Sequence, residues 1–172
     1  MYNNKAIFFD RDGVINKLVK RNNGFFSPRK YSEFDFHKDI KSCIDYLLKN
    51  NFLIFVVSNQ PDISRKKMSI NELDKIDREI NEKLHVDEIY YSFDDKYSIN
   101  GSKKPSPKML FDAKEKWKID FSRSYFIGDS IVDEECAKNA NVSFILVSRN
   151  HNKELNSSLK VSSLDEIKYI IS

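Results

Sequence analysis

Residues 5–16 read Lys-Ala-Ile-Phe-Phe-Asp-Arg-Asp-Gly-Val-Ile-Asn, and this stretch decides the fold. Its apolar run, 6–9, predicts a buried strand, because both faces are apolar and the run is too short for a helix. Ligands of open parallel sheets bind at the carboxyl ends of the strands. We therefore expect Asp10 and Asp12 to lie in such a crevice. Two carboxylates so close together repel each other, which favours a bound cation or a shared proton.

The composition is typical of a soluble globular protein. The chain has 172 residues, of which 32% are charged and 40% hydrophobic, and its formal net charge is +3. Because the charges are spread along the chain, nothing predicts a nucleic-acid or membrane partner. The length predicts one domain, 1–172. The first strand leaves no room for a signal peptide, and Cys43 and Cys136 lie in helical patterns, so we expect core thiols and a cytoplasmic protein.

Strand and helix patterns alternate along the rest of the chain. This alternation predicts a three-layer α/β/α, Rossmann-like fold with a central, mainly parallel sheet. Residues 17–31 are too irregular to assign and are expected to form a loop or a short hairpin that overhangs the site. Further strands are predicted at 53–57, 86–91, 125–127 and 144–147. Helices are predicted at 40–48, from the capping box Ser69–Glu72, from Ser106-Pro107 with the proline at the first helical position, around 132–140, and after Ser163.

Polar residues follow three of these other runs. The hydroxyl of Ser58 is suited to hold a phosphate oxygen, and Lys104 stands just before a helix where prolines fix the backbone. Asp129 would complete an oxygen-ligand set suited to Mg²⁺. Ser58 and Lys104 each have an ordinary structural alternative, respectively a turn and a solvated lysine. Asp133 has a good structural explanation as a first-turn acid paired with Ser130.

The order Asp-x-Asp-Gly, Ser, Lys-Pro, Gly-Asp-x-x-x-Asp resembles the haloacid dehalogenase superfamily of phosphotransferases, from Lys5 to about Val147. The strings at 10–16, 58–65 and 103–107 are similar to the branch that contains heptose bisphosphate phosphatases and histidinol-phosphate phosphatases. Members often carry a cap domain between the motifs. Here predicted core elements fill both intervals between the motifs, so a cap-less member is expected.

The resemblance implies a role for each matching position. Asp10 would be the nucleophile that forms an aspartyl phosphate, and Asp12 the general acid and base. Mg²⁺ would be held by Asp10, the backbone carbonyl of Asp12, and Asp129. Ser58 and Lys104 would bind the phosphoryl oxygens. Asn59 would line the site, while Arg65 and Lys103 would grip a remote phosphate or sugar hydroxyls.

These features predict a Mg²⁺-dependent phosphomonoesterase that acts on a small phosphorylated metabolite. A heptose-type sugar bisphosphate is favoured, because 61–65 is more similar to the heptose phosphatase string than to the histidinol one. Histidinol phosphate and, more distantly, a polynucleotide 3′-phosphate are alternative substrates. A phospho-accepting receiver domain and a catalytically silent binding protein are non-enzyme alternatives. Asp12 argues against the receiver domain, and the filled catalytic positions argue against the silent protein. The oligomeric state is left open.

Relatives in this branch often bind zinc in a loop before Lys-Pro, through Cys-x-His and Cys-x-Cys. The corresponding positions here are Tyr91, Phe93, Asn100 and Ser102, which include no thiolate and no imidazole. Structural zinc needs about four such ligands. We therefore expect no structural zinc, and expect packing of aromatic residues and local turns to hold the loop.

Overall fold

The computed structural model describes residues 1–22 and 24–171. Within these residues the main sheet has six parallel strands in the order β5-β4-β1-β6-β7-β8. The strands are β1 (Ala6–Phe9), β4 (Leu53–Asn59), β5 (Glu88–Ser92), β6 (Tyr125–Gly128), β7 (Ser143–Val147) and β8 (Lys160–Val161), and an antiparallel hairpin is formed by β2 (Val19–Arg21) and β3 (Gly24–Phe26). The helices are α1 (Ile40–Lys49), α2 (Pro61–Ser64), α3 (Ile70–Leu84), α4 (Lys108–Trp117) and α5 (Ile131–Ala140), with 3-10 turns at Tyr31–Glu33, Phe121–Arg123 and Leu164–Tyr169.

Strand β1 lies in the middle of the sheet, and all four of its residues are fully buried. Successive side chains of a strand point to opposite faces. Ile7 and Phe9 pack with α1 and α3, whereas Ala6 and Phe8 pack with α4 and α5 on the other face. The three-layer arrangement with a mainly parallel sheet is therefore confirmed.

Hydrophobic spacing located β1, β4, β5, β6, β7, α1 and α5 to within two residues, whereas α2 and β8 were not predicted. The expected hairpin within 17–31 is present, and its strand β3 borders the cavity described below. Helix α3 begins at the expected cap, where the side chain of Ser69 accepts a hydrogen bond from the backbone N–H of Glu72.

Two helix predictions need correction. Pro107 is the residue before α4 and not its first residue, because its ψ of 6° is outside the helical range and Ser106 is still part of a turn closed by the carbonyl of Lys103. The segment after Ser163 forms a 3-10 helix and not an α-helix. Its buried residues, Leu164 and Ile167, are three positions apart, which is the period of a 3-10 helix.

No helix in the described ranges is both long and apolar enough to cross a bilayer.

Candidate active site

The carboxyl ends of β1, β4 and β6 border one cavity of about 410 Å³. This is the location that a parallel sheet favours for a ligand, because the loops that leave neighbouring strands separate there. Hairpin strand β3 covers one side of the cavity with the partly exposed rings of Phe25 and Phe26. Six residues predicted from the sequence line it: Asp10, Asp12, Ser58, Asn59, Lys104 and Asp129.

Lys104 connects the carboxylates at the base of the cavity. Its Nζ donates to Oδ1 of Asp10 and to Oδ1 of Asp133, both at 2.6 Å, and to the carbonyl of Val57 at 3.2 Å. Burial lowers the pKa of Lys104, but the adjoining carboxylates of Asp10 and Asp133 outweigh burial and raise it. The lysine is therefore a fixed cation.

Asp10 is surrounded by other carboxylates at the base of the cavity. Burial raises its pKa well above the usual range for an aspartate, and the neighbouring carboxylates of Asp133, Asp129 and Asp12 add to the rise, while Lys104 opposes it. A further cation at this position would stabilise the ionised carboxylate.

Three carboxylates are close enough to share that cation. Asp10, Asp129 and Asp133 each offer one oxygen, and these oxygens lie within 4.8 Å of one another. A buried set of hard oxygen donors is the kind of site that Mg²⁺ prefers. The residues present therefore fit the predicted metal, with Asp133 as a member that the predicted ligand set did not contain.

Gly13 is needed where the first loop passes the carboxylate of Asp129. Its φ of +101° is in the region that side chains rarely adopt, and an added Cβ would lie 1.9 Å from Oδ2 of Asp129. The glycine in Asp-x-Asp-Gly therefore serves both the turn and the close approach of two motifs.

Asp133 combines two roles. Its Oδ2 closes a capping box at the start of α5 with Ser130, as the sequence predicted, while its Oδ1 binds Lys104. The spacing Gly-Asp-x-x-x-Asp was visible in the sequence, but the bond to Lys104 was not.

The carboxylate of Asp12 is surrounded by donors. Arg11 donates through Nε and Nη2 at 3.0–3.1 Å, Asn16 donates through Nδ2 at 3.1 Å, and Gln60 donates through Nε2 at 2.6 Å. All three donor residues are almost completely buried. They lie within the quoted motifs, yet sequence reasoning gave them no role, because a motif does not reveal which way its intervening side chains turn.

His151 was also missed. It lies in the loop after β7, lines the cavity, and its Nε2 is 2.5 Å from Oδ2 of Asp129. No local pattern distinguishes this histidine in the sequence, because its neighbours are ordinary loop residues.

The β4 side supplies Ser58 and Asn59. Ser58 is buried and borders the cavity. Asn59 holds the backbone of Lys104 on both sides, accepting from its N–H at 2.9 Å and donating to its carbonyl at 3.2 Å. Asn59 thus helps to aim the lysine at the crevice.

The other two predicted residues lie elsewhere. Arg65 is exposed and donates to the carboxylate of Asp95, with Asp62 also near, and Lys103 donates to the backbone carbonyl of Asp95 at 2.5 Å. Neither lines the cavity around Asp10. A contact of either residue with substrate stays a prediction.

Comparisons with known proteins identify the family of this chain. The family model for haloacid dehalogenase-like hydrolases matches residues 6–147. A D-glycero-alpha-D-manno-heptose-1,7-bisphosphate 7-phosphatase from Campylobacter jejuni is 30% identical over 170 residues, covering 95% of this chain and 93% of that protein. A D-glycero-D-manno-heptose-1,7-bisphosphate 7-phosphatase from Chlorobaculum tepidum is 31% identical, covering 87% of this chain and 81% of that protein.

A solved structure shares the fold. It is the D,D-heptose 1.7-bisphosphate phosphatase from B. bronchiseptica, complexed with magnesium and phosphate, with a TM-score of 0.77 at 21% identity over 96% of this chain and 97% of that chain. Because the family match spans most of the sequence and the strand ends hold the expected carboxylates and lysine, this chain belongs to the haloacid dehalogenase-like hydrolase family.

Proposed function

We propose that the chain is a Mg²⁺-dependent phosphomonoesterase that forms an aspartyl phosphate on Asp10 and acts on a small phosphorylated metabolite. The observation that carries this proposal is the buried array in which Lys104 bridges Asp10 and Asp133 beside Asp129. Phosphoryl transfer depends mainly on positioning and on neutralising charge. An array of this kind supplies both.

In the first half-reaction a carboxylate oxygen of Asp10 attacks phosphorus. The bond from phosphorus to the ester oxygen breaks, and Asp12 gives its proton to that oxygen. In the second half-reaction Asp12 takes a proton from water as the water attacks phosphorus. The bond to Asp10 then breaks and inorganic phosphate leaves.

Ser58 and Lys104 are the groups we assign to the phosphoryl oxygens, since both border the cavity next to Asp10. Lys104 contributes a fixed positive charge, and Ser58 contributes a hydroxyl donor. Asn59 keeps the lysine in place through its two bonds to the lysine backbone.

We assign the metal to Asp10, the backbone carbonyl of Asp12, and Asp129. Asp133 belongs to the same acidic cluster, but its two oxygens already serve Lys104 and the cap of α5. Bound Mg²⁺ would neutralise charge so that an anionic carboxylate can approach an anionic phosphate.

A heptose-type sugar bisphosphate is the substrate we favour. The support is that relatives at about 30% identity over most of the chain carry that activity in their names. Arg65 and Lys103 would bind the remote phosphate after leaving Asp95. Histidinol phosphate and a polynucleotide 3′-phosphate are the alternatives. We also propose a cytoplasmic enzyme with no nucleic-acid or membrane partner, in keeping with two free, buried cysteines.

A screen for phosphate release from sugar monophosphates, sugar bisphosphates, histidinol phosphate and a 3′-phosphorylated oligonucleotide tests the proposal, each with and without Mg²⁺. We expect steady Mg²⁺-dependent turnover, fastest on a heptose bisphosphate. Stoichiometric phosphorylation without turnover would instead indicate a receiver domain. Binding of phosphates without any release would indicate a catalytically silent protein.

A further inference from the structure

Gln60 stands directly after β4, between the phosphoryl-binding side of the site and α2. The residue is 2% exposed, and its backbone N–H donates to the carbonyl of Ser92 at 2.7 Å. The backbone bond attaches this position to the neighbouring strand β5, so the side chain starts from a fixed point.

A single nitrogen of Gln60 serves two groups of the site. Nε2 donates to Oδ2 of Asp12 at 2.6 Å and to Oγ of Ser58 at 2.9 Å. The opposite assignment of the amide would place its oxygen against an aspartate oxygen at the same short distance, where two acceptors repel each other. The nitrogen therefore faces the two oxygens.

Each of these two hydrogen bonds constrains the group that accepts it. Because Ser58 Oγ accepts from Gln60, its own O–H remains available to donate to another group, and Ser58 lines the cavity. The other side-chain donors to Asp12 in the described chain, Arg11 and Asn16, belong to the same loop as Asp12. Gln60 is the donor that fixes Asp12 relative to a second strand end.

We propose that Gln60 is a positioning residue that aligns the proton-transfer group Asp12 with the phosphoryl-binding hydroxyl of Ser58. This inference rests on the proposed function. The proton transfers at Asp12 need its carboxyl group to lie beside the leaving oxygen and then beside the attacking water. Gln60 holds that group at a set distance from the hydroxyl that binds the same phosphoryl group.

Substrates with different leaving groups can distinguish a positioning role of Gln60 from a merely structural role. A p-nitrophenolate ion leaves without a proton, whereas the alkoxide of a sugar needs one from the general acid. Loss of Gln60 should therefore slow cleavage of a sugar phosphate more than the first cleavage of p-nitrophenyl phosphate. Hydrolysis of the aspartyl phosphate also needs Asp12, so it should slow with both substrates.

The variants are Gln60→Leu, which removes the donor, and Gln60→Glu, which keeps the length and replaces the nitrogen by an oxygen. The substrates are p-nitrophenyl phosphate and the sugar phosphate that is cleaved fastest in the screen. We expect kcat/KM to fall about tenfold more for the sugar phosphate than for the aryl phosphate, as for loss of one buried hydrogen bond. We also expect a burst of about one p-nitrophenol per chain before a slower steady state.

Ile63→Ala is the matched control, because Ile63 lies in α2, the short helix that follows Gln60, packs on the core and makes no bond to Asp12. It should lower Tm without changing the ratio of the two kcat/KM values. If both Gln60 variants keep that ratio within about twofold of the wild-type ratio and show no burst, the inference is wrong. Failure of the wild-type protein to release phosphate from any ester would instead contradict the proposed function itself.

Discussion

The buried base of the cavity and the exposed residues beyond its lining differ in how their charges are paired. We call Asp10, Ser58, Lys104, Asp129 and Asp133 the floor; Arg65 and Lys103, which do not line the cavity, together with the hairpin β2–β3 are called the rim. In the floor, Lys104 and Asp133 are only 4% and 2% exposed, whereas in the rim the paired side chains of Arg65 and Asp95 are 41% and 48% exposed.

This difference decides what each region can do. Removing one partner from a buried ion pair leaves an uncompensated charge, so the floor charges depend on one another. Exposed pairs contribute little and exchange partners easily. We therefore expect the floor to carry the chemistry and the rim to influence the choice of substrate.

The largest expected effect is in the floor. Asp10→Asn should abolish turnover, because an amide is not an anionic nucleophile and ligates Mg²⁺ poorly. The fold should persist, since the substitution keeps the shape of the side chain. Phosphate release and circular dichroism on the same preparation check both statements. Hydrolysis near the original rate would mean that the floor is not the reacting centre.

A tenfold effect is expected in the rim. If Arg65 leaves Asp95 for the remote phosphate, Arg65→Ala should raise KM for a sugar bisphosphate about tenfold, from the loss of one charge-assisted bond of about 1.5–3 kcal/mol. KM for a small aryl phosphate should stay unchanged. Arg78→Ala is the control, because Arg78 is an exposed arginine that donates to the carbonyl of Asp74 in its own helix. Equal KM changes for both substrates would remove Arg65 from substrate selection.

The floor and the rim also differ in how much of each region can be predicted from the sequence. Asp10, Ser58 and Asp129 could be placed because each sits at or just after the end of a buried strand, and parallel strands bring those ends together. The apolar runs also located β1, β4, β6 and β7. The order of the elements and the period of the hydrophobic residues are enough to predict these strands and the residues at their ends.

Contacts between side chains could not be predicted from connectivity and hydrophobic period. Arg11 is fully buried although arginine is usually exposed, since the carboxylate of Asp12 lies beside it. His151 reaches the site only through the course of the loop after β7. In the rim, Arg65 pairs with the carboxylate of Asp95 and Lys103 donates to the backbone carbonyl of the same residue, and nothing in the spacing of these residues indicates that.

A smaller effect concerns stability in the segment between the hairpin β2–β3 and α1. The backbone N–H of His37 donates to the carbonyl of Ile15 at 2.9 Å. Burial, followed by the nearby charge of Arg149, lowers the pKa of His37 from 6.5 to about 4. Between these pH values His37 is protonated in the unfolded chain and neutral in the folded chain. The free energy of unfolding therefore falls as pH drops from 6.5 towards 4.

Thermal unfolding of the wild type and of His37→Gln across that range measures this effect. The wild-type Tm should fall relative to the variant as the pH is lowered through the window. Above the window the difference between the two proteins should be constant. A constant difference at every pH would show that His37 titrates alike in both states.

The last prediction concerns zinc, whose removal is expected to have no effect. The loop before Lys104 is held by the carboxylate of Asp94, which accepts from the N–H and hydroxyl of Ser102, and by stacking of Tyr91 on Phe93. We predict that protein purified without added metal carries no zinc, and that a zinc-selective chelator leaves Tm and Mg²⁺-dependent turnover unchanged. About one tightly held zinc per chain would contradict this prediction.

The most direct measurement of the central claim is to find where the phosphoryl group goes. Asp12→Asn should form the aspartyl phosphate from p-nitrophenyl phosphate but hydrolyse it slowly, because the amide is not a general base. Acid quenching followed by peptide mass spectrometry then locates the phosphoryl group. Our account predicts up to about one phosphoryl group per chain, on the peptide that contains Asp10 and absent in Asp10→Asn. A phosphoryl group on another residue, or one that forms equally in Asp10→Asn, would contradict it.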